Sequence, residues 1–287
     1  MNAALFGLIS AAGLGTADFM ARFSARALGA PLTYAVILFA GSIGATAWFL
    51  LSGLDFVWSV PGCGYAVAHG VSVASMCMLL YAGLARGPVA IVAPIVAAHP
   101  ALVLVVNVMM GVRPGAAQWA AMSVVIAGGI VIARSAESHP QFTGAGSAEL
   151  RTTILIALAA CLAYVLLVLT AQTAAPLIGE VQTIFIARWS GLAFVSILLW
   201  VQRTPISVPV QWLPFVCLQA LLDGLGYAAF LAGARTGAPH IAMVVASTFS
   251  VVTVVLAKIV LKEPISRQQW TAIAMIAIGT AALAGND

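Results

Sequence analysis

The chain has 287 residues, of which 63% are hydrophobic and 7% are charged. Soluble domains carry about 25% charged residues, so this composition and a mean hydropathy of +1.10 exclude an ordinary soluble protein. The formal net charge of +4 comes from basic residues that stand singly at the ends of apolar segments. That distribution is typical of loop anchors beside a membrane and excludes a nucleic-acid-binding surface.

Apolar runs of about 20 residues, the length of a helix that crosses a bilayer, recur along the whole chain. They do not alternate as the strands of a membrane barrel do. We therefore predict an all-α membrane protein with ten transmembrane helices. The predicted helices cover residues 3–23, 32–52, 60–84, 89–111, 116–133, 152–174, 182–201, 212–234, 241–261 and 268–284.

Two stretches about 150 residues apart repeat the same landmarks. Residues 87–119 and 237–270 each begin with glycine, pass through a long apolar segment to a charge-proline pair, and end in Gln-Trp. Between them lies a polar linker at 134–151, so the predicted repeats are 1–133 and 152–287. Five helices per repeat is an odd number, so the second repeat enters the membrane from the opposite side. Inverted repeats of this kind are typical of secondary transporters.

No other chemistry is indicated by the sequence. The four cysteines lie inside apolar segments without CxxC spacing, which favours helix packing over a disulfide or metal site. There is no P-loop and no GxSxG or HExxH motif. We expect neither an enzyme nor a bound metal or cofactor.

The chain resembles the drug/metabolite transporter superfamily, in its ten-helix branch of paired EamA-type repeats. The residues that carry the resemblance are Pro100 with Arg113, Ser250 with Glu263, Trp119 with Gly128, Trp270 with Gly279, and Arg188. It departs from the family at Arg113, where an acid is usual, and at Ser250, where proline is usual. Members of this family are secondary transporters, many of which export amino acids or other small metabolites. The resemblance implies the same activity here.

The sharpest candidate for substrate binding or proton coupling is Asp223, near the middle of the eighth predicted helix. Gln219 and Tyr227 lie one turn either side of it, on the same helical face. An ionisable group inside a membrane span is a functional candidate by default, because it is costly to keep there. Its carboxylate could bind a substrate ammonium or carry a proton. The alternative is a structural pair with an arginine.

Three further residues are candidates for the same site. His69, in the middle of the third helix, aligns with Gln219 when the repeats are superposed on their glycines. Arg188 could hold a substrate carboxylate as a bidentate donor, or pair with Glu180 or Asp223. His99 stands beside Pro100, which breaks the fourth helix and frees a carbonyl. A packing role remains open for both histidines.

Asp18 and Arg22 are four residues apart in the first helix, so we predict a structural ion pair along one face. Lys258, Lys262 and Glu263 stand near a helix end and are predicted to snorkel or cap.

We predict a secondary transporter of small polar metabolites, with amino acids favoured, that exports them across a bacterial inner membrane by alternating access. A zwitterion needs both signs of charge, and Asp223 and Arg188 offer them. One alternative is an exporter of lipophilic cations, against which the Asp18–Arg22 pair argues. Another is a non-transporting membrane partner. We expect a small-molecule substrate, contact with membrane lipid, protons as a candidate coupling ion, and a monomer.

Overall fold

The computed structural model describes residues 3–111, 113–136, 147–236 and 238–284. These residues form twelve α-helices, one 3-10 helix and no strand. Residues 137–146 of the predicted linker lie outside the described part. The helices are α1 Ala3–Leu28, α2 Ala30–Leu51, α3 Val60–Arg86, α4 Val89–Ala97, α5 His99–Met109, α6 Ala116–Ala136, α7 Ser147–Ile178, α8 Glu180–Val201, α9 Leu213–Ala234, α10 Pro239–Ala246, α11 Phe249–Val260 and α12 Arg267–Ala284, with the 3-10 helix at Val210–Trp212.

Eight spans in the described residues are long and apolar enough to cross a membrane. Six are the helices α1, α2, α3, α7, α8 and α9, and the other two are the broken helices α4–α5 and α10–α11. A shorter apolar segment, Ala116–Ile132, belongs to α6. The all-α, multi-pass membrane architecture is confirmed. The total of ten crossings, which also needs α6 and α12, stays a prediction.

The predicted fourth helix is broken where a proline removes a backbone donor. α4 ends at Ala97 and α5 begins at His99, with Pro100 in its first turn. Pro100 cannot donate to the carbonyl of Val96. The ring Nδ1 of His99 takes that place, 3.1 Å from the Val96 oxygen. The break is thus stabilised by the residue beside the proline.

The predicted ninth helix is broken without a proline. α10 ends at Ala246 and α11 begins at Phe249. The hydroxyls of Ser247 and Thr248 each donate to a carbonyl three residues earlier, at 2.7 Å. Side-chain donors that compete with the backbone in this way open a helix locally. Both breaks fall in the middle of a span.

The two halves of the chain pack through corresponding helices. α1 contacts α9, α10 and α11, whereas α7 contacts α3, α4 and α5; α2 packs on α8, and α6 on α12. α1 and α9 approach closely at two glycines, since a Cβ on Gly13 would lie 2.9 Å from Cα of Gly226. Small residues permit this contact between backbones. It brings the middle of α1 beside the middle of α9.

One junction has the same backbone geometry in each half. Gly29 links α1 to α2 with φ 83° and ψ 147°, and Gly179 links α7 to α8 with φ 81° and ψ 155°. Glycine suits a positive φ because it has no Cβ. This correspondence, about 150 residues apart, matches the spacing of the sequence repeat.

Candidate functional site

Asp223 faces the interior of the bundle. On α9, Leu218, Leu221 and Leu225 are exposed and form the face that lipid would cover. Asp223 is two positions from both Leu221 and Leu225. At 3.6 residues per turn it lies nearly opposite this face.

Arg188 and Asp18 face inward by the same geometry. Arg188 is nine positions before the exposed Ile197 on α8, and Asp18 is nine positions after the exposed Ile9 on α1. Nine residues are about two and a half helical turns, which places each charged residue on the side opposite its lipid-facing neighbour. Three ionisable groups therefore enter the interior from three helices.

Arg188 and Asp223 form an ion pair at the centre of the candidate site. Nη2 of Arg188 lies 3.7 Å from Oδ2 of Asp223, and the two side chains are 15% and 22% exposed. Because both point away from lipid, this exposure is toward space inside the bundle. The guanidinium also stands over the ring of Tyr227, 5.5 Å from its centroid, which is within the range of a cation–π contact.

Asp18 adds a second carboxylate to this site. It lies close enough to Asp223 for the two acids to interact electrostatically. Tyr164 of α7 lies in the same electrostatic environment. Cys77 of α3 does so too. Among the described residues, the candidate site therefore contains two carboxylates, those of Asp18 and Asp223, and one guanidinium, that of Arg188.

The predicted pair of Asp18 with Arg22 is not formed. Arg22 instead lies 3.5 Å from Glu263, which follows α11. Its Nη1 also donates to the carbonyl oxygens of Leu84, at 3.2 Å, and Gly87. These carbonyls at the end of α3 draw Arg22 toward the end of the bundle, away from Asp18. No ion pair or hydrogen bond of Asp18 occurs within the described part of the chain.

Two predicted site residues lie between pairs of packed helices. His69 is buried, and its Nδ1 donates to the carbonyl of Leu167 on α7 at 3.0 Å. Gln219 is fully buried, and its Oε1 accepts from the hydroxyl of Ser24 on α1 at 2.7 Å. Its Nε2 has no hydrogen-bond partner among the residues described. His69 thus lies in the contact between α3 and α7, and Gln219 lies in the contact between α1 and α9.

His99 lies at the break between α4 and α5, beside α7. Its ring stacks on Tyr164, with centroids 3.5 Å apart and planes inclined by 14°. Both contacts, with the carbonyl of Val96 and with this ring, hold the break in place. Tyr164 connects this region to the electrostatic environment of Asp18 and Asp223.

Sequence analysis missed several residues around the pair. Gly41 on α2 gives Arg188 its space, because a Cβ there would lie 3.0 Å from Nη1. Tyr34 and Tyr81 are almost fully buried and meet edge to face, 5.7 Å apart. Two tyrosines inside apolar helices are a visible signal for a polar interior. The sequence does not show that Gly41 faces an arginine.

Residues 151–285 match the EamA-like transporter family. Over these residues the chain is similar to the EamA-like transporter family. The resemblance to the drug/metabolite transporter superfamily is thereby confirmed. The protein is a membrane transporter of this type, and its EamA-like part contains Arg188, Asp223, Tyr227 and Glu263.

The fold of the chain is shared with a solved structure described as "Crystal structure of protein". The match has a TM-score of 0.66 and covers 98% of this chain and 95% of that chain. At 18% sequence identity it shows a common fold alone. No curated protein matches the chain.

Proposed function

We propose that this protein is a secondary transporter that exports small polar metabolites, amino acids above all, by alternating access. The observation that carries the proposal is the Arg188–Asp223 pair in accessible space inside the bundle. Loss of one partner from a buried ion pair strongly destabilises a protein, because the other charge stays uncompensated. A zwitterion avoids this, since its ammonium can replace Arg188 at Asp223 while its carboxylate replaces Asp223 at Arg188.

The geometry of the pair favours such an exchange. Charge-assisted hydrogen bonds of this type are about 2.7–2.9 Å long, whereas the closest nitrogen and oxygen here are 3.7 Å apart. The two groups attract each other without a short hydrogen bond, so a ligand can replace either partner. Arg188 can then bind a carboxylate with two parallel N–H donors.

Alternating access fits two inverted five-helix repeats. The shared geometry of Gly29 and Gly179 supports the repeat. The packing of α1 on α9 and of α7 on α3 supports a twofold relation, because these are the first and third helices of each half. In transporters built this way, one half rocks against the other around a site near the midplane.

The end of the bundle where α1, α3, α8 and α11 finish is called the basic end here. Consecutive helices joined by short connections run antiparallel, which brings most of the basic side chains to this end. They include Arg26, Arg86, Arg134, Arg151, Arg203, Lys262 and Arg267. Short loops rich in lysine and arginine face the cytoplasm. The basic end is therefore the cytoplasmic end of an inner-membrane protein.

Export of lipophilic cations is the second candidate, favoured by one observation. Asp18 is not neutralised by Arg22, so the centre contains two carboxylates and one guanidinium among its described residues. Tyr164 and Tyr227 add aromatic surface nearby. An excess acid beside aromatic rings suits an organic cation.

Thermal stabilisation of the purified protein distinguishes the two candidates. A ligand that binds only the folded state raises the melting temperature by mass action. Amino acids, sugars, nucleosides and quaternary ammonium compounds would be tested on the wild type, Asp223→Asn and the exposed control Asp55→Asn. We expect amino acids to stabilise the wild type and the control but not Asp223→Asn. Stabilisation by lipophilic cations alone would favour the second candidate.

A further inference from the structure

We propose that Arg22 and Glu263 form a gate that, in this structure, closes the central site toward the basic end. The gate rests on the proposed alternating access, and it assigns residues to one of its two closures. Four parts of the chain meet at this point: α1, the end of α3, the start of α4 and the segment after α11.

The backbone after α11 directs Glu263 into the bundle. Lys262 has a positive φ of 53°, which ends the helix and turns the chain. Pro264 follows, and the residue before a proline is restricted to extended conformations. The backbone N–H of Glu263 is tied to the carbonyl of Ala257 at 3.4 Å. Glu263 is buried as a result.

Glu263 caps a helix of the other half of the chain. Its Oε1 accepts from the N–H of Val89 at 3.2 Å, and its Oε2 from the N–H of Ala90 at 3.3 Å. The first N–H groups of a helix lack partners inside the helix, and Pro88 at the N-cap position has no side-chain cap. A carboxylate at this place is also favoured by the helix dipole.

Arg22 connects this cap to the end of α3. Its Nη1 reaches Glu263 and the carbonyl oxygens of Leu84 and Gly87. One turn later, Nε of Arg26 donates to the carbonyl of Ala85 at 2.6 Å. Arg22 and Arg26 thus bind the carbonyl end of α3 within the first half. Glu263 joins the second half to this cluster through Arg22 and the start of α4.

Accessibility indicates which end is closed. Arg22 and Glu263 are 9% and 8% exposed, although they lie nearer the end of the bundle than Asp223. The side chain of Asp223 is 22% exposed. Asp223 lies deeper than Arg22 and Glu263, yet its side chain is more exposed than theirs. Its exposed surface must therefore be reached from a side other than the basic end. The central site is therefore shut toward the basic end.

The opposite end has no buried ion pair within the described residues, although Gln182 of α8 hydrogen-bonds to the backbone of Val57 there. Arg113 corresponds to Glu263 in the repeat, and it is exposed. The ion pair at that end, Arg235 with Glu180, has a separation of 3.4 Å and side chains that are 55% and 59% exposed. Exposed pairs contribute little to stability. Among the described residues, a buried ion pair between the two halves is thus found at the basic end and not at the opposite end.

The reactivity of Cys77 from each side of the membrane tests the gate without any transport assay. Cys77 lies in the electrostatic environment of Asp18 and Asp223, and the other cysteines, Cys63, Cys161 and Cys217, would be replaced by alanine. The probe is trimethylammonium-ethyl methanethiosulfonate, which does not cross lipid, applied to sealed vesicles of either orientation. The protein with these three replacements, which keeps Cys77, is the parent. In the parent we expect slow labelling from the basic end and faster labelling from the opposite end.

Glu263→Gln should raise the rate of labelling from the basic end by about tenfold or more, since about 1.4 kcal/mol of lost closing energy gives a factor of ten. Glu180→Gln, which breaks the exposed pair, is the matched control and should leave that rate unchanged. Arg22→Lys keeps the charge with fewer donors and should give an intermediate rate.

Two results would overturn the gate: equal rates for Glu263→Gln and the parent, or a parent that is labelled faster from the basic end. The second result is measured on the parent, so it does not depend on whether a variant at the gate folds. A change in labelling without any stabilisation by metabolites would keep the gate and reject the proposed substrates.

Discussion

The Cβ position of Gly41 on α2 lies 3.0 Å from Nη1 of Arg188 on α8. This glycine leaves room for a guanidinium that is held on its other sides by Asp223 and the ring of Tyr227. The position of Arg188 is therefore determined by three helices, α2, α8 and α9.

Gly41→Ala should disturb transport without unfolding the protein. The added methyl group would displace the guanidinium by a few tenths of an ångström, and we expect transport to fall by up to about tenfold, because small misplacements of binding groups are costly. Gly44→Ala is the control on the same helix, since a Cβ there meets no atom within 4 Å. Flux into vesicles measures both variants. Equal flux for the two would show that the position of Arg188 is not critical.

Asp223→Asn should abolish transport and lower the melting temperature. It leaves Arg188 without its partner inside the membrane, and breaking a buried pair is destabilising by about 3–5 kcal/mol, less where the groups are partly accessible. The double variant Asp223→Asn with Arg188→Gln should recover part of the melting temperature and none of the transport. Normal transport by Asp223→Asn would remove the pair from the site.

Tyr227→Leu should weaken transport more than Tyr227→Phe. The ring, not the hydroxyl, faces the guanidinium of Arg188, and a cation–π contact contributes about 0.5–2 kcal/mol. Stability and flux of the two variants provide the comparison. A loss of transport in Tyr227→Phe equal to that in Tyr227→Leu would assign the role to the hydroxyl instead.

Glu263→Ala should be much less stable than Glu180→Ala. The first change removes the cap of α4 and leaves Arg22 buried without its partner, an effect of about 3–5 kcal/mol. The second breaks an exposed pair, which contributes about 0–1 kcal/mol. Thermal unfolding in the same detergent measures the difference. Similar melting temperatures would mean that the carbonyls of Leu84 and Gly87 are sufficient to hold Arg22.

Gly226→Ala should destabilise the contact between α1 and α9. Its Cβ would lie 2.8 Å from the backbone nitrogen of Leu14, which cannot move as a flexible side chain can. Overpacking of this kind has an effect of about 1–3 kcal/mol. Gly224→Ala, two residues away with no atom within 4 Å, should leave the melting temperature unchanged. A tolerated Gly226→Ala would mean that the helices can separate freely.

The inward direction of Asp223 could be predicted because periodicity is a local property of a helix. The apolar residues around it define a lipid face, and the acid stands opposite. Its pairing with Arg188 was one of the alternatives that the sequence left open. Choosing among them needed the packing of α8 and α9 against α2, which residues on separate helices do not encode locally.

The case of Glu263 shows the opposite situation. Its position near a helix end predicts that it snorkels or caps, and in the structure it caps a helix. The helix is α4, more than 170 residues earlier in the chain. Likewise, Asp18 and Arg22 have the spacing of a pair, yet the carbonyls at the end of α3 compete successfully for the arginine.

By itself, the sequence determined that this is an all-α membrane protein and which residues carry charge into it. Span length and face direction depend on the local composition of each helix, because lipid requires apolar surface and internal hydrogen bonds. Only the tertiary structure decided which charges meet. A buried charge must find a partner of opposite sign, and in this protein that partner comes from another helix: Asp223 for Arg188, and Glu263 for Arg22.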